Sequence, residues 1–141
     1  MKPPVVRVEK PYQLLIADDD AAFRETLRTV FEPFFELAEA RSGEEAISIV
    51  EYRPVDIALV DMNMDRLTGL ETVRILKSFN ETAPCILITA NVTDQLVREA
   101  EEADAFSVLA KPVSKNELVS TVSTAIENAY EDPDPLSPIP G

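Results

Sequence analysis

Short, continuously apolar runs punctuate the chain. Gln13 to Ala17 (QLLIA), Asp56 to Val60 (DIALV) and Cys85 to Thr89 (CILIT) are the clearest. Phe34 to Ala40 and Phe106 to Ala110 (FSVLA) are shorter or less uniform. Runs of this length bounded by polar residues predict strands buried on both faces, because a half-exposed strand would alternate apolar with polar. Between them the apolar spacing changes to that of a helix. Phe23, Leu27, Val30 and Phe31 share one face over residues 21–31, and Leu118, Val122, Ala125, Ile126 and Ala129 share another near the end.

Start signals sharpen the helices. Ser42-Gly43-Glu44-Glu45, Thr68-Gly69-Leu70-Glu71 and Ser114-Lys115-Asn116-Glu117 each place a hydroxyl three residues before an acid, the capping-box pattern. They open helices running through Glu51, through Phe79 and to the end of the folded region, and Thr93 to Glu102 reads as one more. Strands and helices therefore alternate strictly, five of each. Alternation with two-sided burial predicts an α/β fold: a five-stranded parallel sheet with helices on both faces. Right-handed crossovers leave few topologies, and the flavodoxin-like doubly wound order 2-1-3-4-5 is expected.

Proline sets the domain limits. Seven of the 11 lie at the ends of the chain: Pro3, Pro4, Pro11, Pro133, Pro135, Pro138 and Pro140. Residues 1–11 read as an N-terminal extension, 12–130 as the folded domain, and 131–141 as a flexible acidic tail or a linker cut short.

Composition then narrows the chemistry. The chain has 141 residues, with 26 acids against 13 bases and a net charge of −13, which argues against nucleic-acid and anionic membrane surfaces. No histidine is present, so a Ser-His-Asp group and a His-ligated zinc site are excluded. One cysteine, Cys85, allows no internal disulfide. Three glycines cannot build a dinucleotide or Walker loop. No apolar run reaches the length of a membrane span, and no signal peptide is visible, so a cytoplasmic location is expected.

In a doubly wound sheet the site lies beyond the carboxyl ends of the strands. The predicted strands end at Asp18-Asp19-Asp20, Asp61, Thr89 and Lys111-Pro112. Taken singly, each has an ordinary reading as a cap, a turn former or a solvated side chain. Gathered on one edge, the carboxylates repel one another, and a hard divalent cation such as magnesium relieves them. An Asp beside a cation and a Lys is suited to capturing a phosphoryl group as an aspartyl phosphate.

These pieces resemble a known family. LLIADDD (14–20), ALVDMNM (58–64), Gly69, ILITA (86–90) and LAKPVS (109–114) are similar, in order and spacing, to the receiver domain of two-component response regulators. The likeness is to a chemotaxis-type single receiver. It implies that Asp61 is the phosphoacceptor and that Mg2+ is held by Asp19 directly, by Asp18 through water, by Asp61 and by the Asn63 carbonyl. It further implies that Thr89 turns toward the phosphoryl group, that Lys111 pairs with Asp61 and then with the phosphoryl oxygens, that Asn91 tunes phosphoryl lifetime, and that the Lys111–Pro112 bond is cis. The implied activity is phosphorelay signalling without classical enzymatic turnover. The donor is a sensor histidine kinase or histidine phosphotransfer protein. The reader is a downstream protein, a missing output domain or a second copy of the chain.

The sequence departs from the pattern in places. Val108 stands where the family has its switch aromatic, and Phe106 lies two residues earlier, on the same face of the strand because the period is two. Phe106 is read as core. Asp65 replaces a common proline, and Asp104-Ala105 replaces a common Gly-Ala. Two other readings compete: a phosphorylation-independent pseudo-receiver that only binds partners, and a haloacid-dehalogenase-like phosphatase. Asn63 argues against the phosphatase, which needs a second Asp at that position.

Overall fold

A computed structural model describes residues 9–140. The elements run β1 (Gln13–Ala17), α1 (Ala21–Phe31), β2 (Glu36–Ala40), α2 (Gly43–Tyr52), β3 (Ile57–Asp61), α3 (Gly69–Phe79), β4 (Cys85–Thr89), α4 (Asp94–Glu102), β5 (Ser107–Ala110) and α5 (Lys115–Tyr130). All strand pairings are parallel and the order is β2-β1-β3-β4-β5. This is the flavodoxin-like arrangement that the alternation predicts.

The unbroken apolar strands have a direct cause. Leu14, Ile16, Ile57, Leu59, Ile86, Ile88 and Leu109 enter one core with Leu27 and Phe31 of α1 and Leu118, Val122 and Ile126 of α5. The intervening Leu15, Ala17, Ala58, Val60, Cys85 and Leu87 enter a second core with Ala46 of α2, Val73 and Leu76 of α3 and Ala100 of α4. Successive side chains point to opposite faces, so both parities must be apolar. Each fully buried Leu or Ile contributes about 1.5–3 kcal/mol.

Helix starts follow the hydroxyl caps. Thr68 makes the reciprocal box: its Oγ1 accepts from Glu71 N at 3.1 Å, and its own N–H donates to the Glu71 carboxylate at 3.1 Å. Ser42 and Ser114 make only the first half, each accepting from the backbone three residues on. Asp20 caps α1 by accepting from Ala22 N and Phe23 N.

Beyond one-residue shifts at several ends, three segments differ from the sequence reading. β2 begins at Glu36 because Phe34 N and Phe35 N turn back to the Phe31 carbonyl, carrying Phe35 into the core. β5 begins at Ser107, leaving Phe106 outside it. The third difference is the expected free tail. Glu131 takes a left-handed φ of 51° and turns the chain back after α5. Asp132 then pairs with Lys10 at 2.9 Å and accepts from the Tyr12 hydroxyl at 2.6 Å. Leu136 packs on the first core, Pro135 is buried, and Ile139 N donates to the Pro33 carbonyl at 2.8 Å. Apolar residues between the prolines give this segment something to bury, so it straps the amino-terminal edge of the sheet. The expected N-terminal extension of residues 1–11 lies mostly outside the described residues.

Candidate functional site

Strand register builds the acidic edge. Ala17 pairs with Val60, Asp61 with Ile88 and Thr89 with Ala110, so the next residues of neighbouring strands meet at one level. The ladder continues past the strands through Asp18 N to the Ala40 carbonyl, Met62 N to the Ile88 carbonyl and Lys111 N to the Thr89 carbonyl. Asp18, Asp61 and Thr89 are therefore buried at the sheet's carboxyl edge, with 1%, 4% and 1% exposure. Asp19 and Asp20 are exposed beside them.

Lys111 reaches back over this edge. Its Nζ lies 3.2 Å from Asp18 Oδ2 and 3.1 Å from Asp61 Oδ1. The residue leads into a cis peptide bond to Pro112, as the resemblance implies. Burial pushes the Asp61 carboxyl above its ordinary value; the Asp18 charge adds to this and the Lys111 hydrogen bond opposes it. For Lys111 burial acts downward, yet its hydrogen bond to Asp61 and the charges of Asp18 and Asp61 hold the ammonium above its ordinary value.

One oxygen each from Asp18, Asp19 and Asp61 lies within 4.8 Å of the others. All three are hard oxygen donors, and two of the carboxylates are buried with only one ammonium between them. That donor set fits a magnesium ion, which takes a few carboxylates and keeps several waters. It does not fit a soft metal.

Gly69 explains itself here. A Cβ on it would stand 2.3 Å from the Asp61 carbonyl oxygen and 2.7 Å from Met62 Cα. Its N–H donates to the Met62 carbonyl at 2.9 Å. The start of α3 therefore presses directly on the backbone that carries Asp61, which only a glycine permits. Thr89 Oγ1 accepts from Asn91 N at 3.2 Å. Asn63 and Asn91 are exposed and, with Met62, Thr89, Thr93 and Glu99, line an open groove of about 270 Å³ beside the edge.

The two switch candidates separate. Val108 is half-buried in register with Leu87 and packs on the second core. Phe106 packs instead on the first core, and its N–H donates to the Cys85 carbonyl at the far end of β4 from Thr89. The shared face expected of the pair is thus overturned: the chain enters β5 only at Ser107, and Phe106 belongs to the opposite edge of the sheet.

Two residues at the site escape the sequence reading. Arg24 of α1 donates from Nη1 to the Asp18 carbonyl at 2.6 Å and lies 3.6 Å from Glu39. Glu39 in turn holds Arg28 at 2.8 Å. Phe23, read only as helix core, places its ring under the Lys111 ammonium at 4.2 Å. A basic residue within a turn of a helix N-terminus opposes the helix dipole, and that was a readable signal for Arg24. Phe23 carried none beyond its place one turn after three acids.

Comparison with known proteins places similar sequences and folds beside this chain. The family model described as response regulator receiver domain matches residues 14–123. Transcriptional regulatory protein PdtaR of Mycobacterium tuberculosis is 30% identical over 123 residues, covering 86% of this chain and 60% of its own. Transcriptional regulatory protein YdfI of Bacillus subtilis is 32% identical over 128 residues, with 88% and 60% covered. The chain thus spans about 60% of the length of these relatives. Among solved structures, a CheY-like response regulator receiver domain protein from Methanospirillum hungatei matches with a TM-score of 0.82 at 20% identity, covering 85% of this chain and 97% of that one. The chemotaxis protein CheY4 of Vibrio cholerae matches at 0.77 and 23%, covering 81% and 98%.

Proposed function

The chain belongs to the response regulator receiver domain family, a family of phosphorelay signalling, and we propose that it is a phosphoryl-accepting switch with Asp61 as the acceptor. The observation that carries this reading is Lys111, bonded at once to Asp61 and Asp18 inside a three-carboxylate edge. Among the described residues, no other arrangement combines a buried nucleophile, a cation and a metal-type donor set.

The donor is a phosphohistidine on a sensor kinase or a histidine phosphotransfer protein, or a small acyl phosphate. An Asp61 carboxylate oxygen attacks phosphorus in line. The new P–O bond forms as the P–N bond of phosphohistidine breaks, and the electron pair leaves on the donor's imidazole nitrogen, which takes up a proton; with an acyl phosphate the bond from phosphorus to the acyl oxygen breaks and the carboxylate leaves with the pair. Lys111 neutralises charge on the transferring oxygens and then moves from Asp61 to a phosphoryl oxygen. Asp18, Asp19, Asp61 and the Asn63 carbonyl would hold magnesium, which supplies charge neutralisation to the same oxygens when bound. The Thr89 hydroxyl donates to the phosphoryl group, loosening its contact with Asn91 and shifting the loop after β4. The absence of histidine is consistent with a donor imidazole on another molecule. The phosphorylated form is read by a downstream protein, an output domain or a second copy of the chain, whose differential affinity sets the size of the switch.

Intact mass after incubation with acetyl phosphate, with and without magnesium, tests this. Wild type gains one phosphoryl group only with magnesium, and Asp61→Asn gains none. Should neither acetyl phosphate nor a phosphohistidine donor modify the wild type, the chain is a phosphorylation-independent binding module. Steady release of phosphate from simple esters would instead identify a phosphatase.

A further inference from the structure

We propose that Phe23 is a positioning residue for Lys111, its ring face steering the ammonium between Asp61 and the incoming phosphoryl group. The inference rests on the switch reading above. Two sides of the ammonium are taken by Asp18 at 3.2 Å and Asp61 at 3.1 Å. A third side meets the Phe23 ring, 4.2 Å from Nζ to centroid. The side chain of Lys111 is 24% exposed, so the ring faces a partly desolvated cation.

The placement of the ring follows from the acidic loop itself. Asp20 caps α1 and accepts from Phe23 N, which fixes the backbone under Lys111. Phe23, partly buried, also packs against the first core. Lys111 therefore lies between an aromatic ring seated on the core and two carboxylates.

A ring face suits this position better than a third hydrogen-bond acceptor. It attracts the cation without neutralising it, so the positive charge stays available to the site. Its attraction varies little as the cation slides across the face, so the ammonium can follow a new phosphoryl oxygen without breaking a directional bond. It also keeps water from that side of the ammonium. No ring comes from Val108, and Phe106 lies at the opposite edge, so Phe23 supplies the aromatic contact at Lys111.

Fluorination of the ring separates this role from packing, since each fluorine weakens cation binding with little change of shape. Full-length protein is made with mono-, di- and trifluorophenylalanine at residue 23, alongside Phe23→Leu and Phe23→Tyr. The rate of phosphoryl transfer from acetyl phosphate falls stepwise with fluorine count, by about fivefold at the trifluoro ring. Phe23→Leu falls at least as far, and Phe23→Tyr stays within about twofold. In the resting protein the Lys111 ε-methylene protons are shifted upfield by the ring current, and the shift disappears in Phe23→Leu. A wild type that transfers normally while its rate ignores fluorination overturns the positioning role and leaves the switch intact. A Lys111 signal without ring shift in wild type overturns it as well. A wild type that accepts no phosphoryl group from any donor sinks the switch reading first, and the positioning role falls with it.

Discussion

Gly69 carries more of the site than any charged residue beside it suggests. Its Cα hydrogen faces the carbonyl of Asp61 where a methyl group would stand only 2.3 Å away. Backbone, not a flexible side chain, is the obstacle, so Gly69→Ala must push α3 away or move Asp61. An overpacked contact of this kind costs about 1–3 kcal/mol. The expected outcome is a urea midpoint lowered accordingly, together with a phosphoryl-transfer rate that falls more than stability does. An unchanged midpoint would mean that α3 can shift freely. Its place eight residues after Asp61 was legible in the sequence as part of a family pattern, but its reason was not. Asp104 is a similar case: it stands where the family has glycine, and the structure gives it a left-handed φ of 60°. The carboxylates were legible because strand ends can be placed from apolar runs. Phe23 was not, because a phenylalanine on a helical apolar face looks the same whether its ring meets a leucine or an ammonium.

At the level of elements, the strands and helices followed from patterning because each was locally unambiguous. Five-residue apolar runs had both faces to cover, and hydroxyl-acid pairs marked the helix starts. Errors came where a residue's neighbours in space differ from those in sequence. Phe106 extends an apolar run yet packs on the other core, and residues 131–140 look like a free tail yet lie on the domain. Proline frequency reports on regular structure, not on docking. The strap is open to direct measurement. Ending the chain at Glu131 removes the Asp132 pairing with Lys10 and Tyr12 and uncovers the surface beneath Leu136, and it lowers stability by about 1–2 kcal/mol in a thermal melt. A melting temperature that does not move would return the segment to the status of a loose tail.

On the scale of the whole molecule, acidity dominates. With a net charge of −13, self-repulsion is relieved by salt. Buried carboxyls add their own pH dependence. Burial pushes Asp56 upward, against the hydrogen bond that Gln13 N donates to it at 2.7 Å. Folded Asp56 thus keeps its proton to a higher pH than the unfolded chain does. Between those two values the folded state binds more protons, so stability falls as pH rises through that window. Asp56→Asn removes this component: its stability declines less over the mildly acidic range, and it gains on wild type toward neutrality. Denaturant titrations at a series of pH values check it, and parallel curves for the two proteins would refute it. Glu39 acts with the opposite sign. The hydrogen bond from Arg28 holds it below the usual range, and its contribution is lost as pH falls through the folded value.

The strap has a practical corollary. Lys10 and residues 132–139 meet at the amino-terminal edge of the sheet, with the acidic cluster at the other edge. Five-residue strands separate the two by about 16 Å. A dye, bead or surface anchor attached near either described end therefore stands at the pole away from Asp61. Immobilised by such a handle, the molecule presents its reactive edge to solution, ready for a sensor chip or an optical trap.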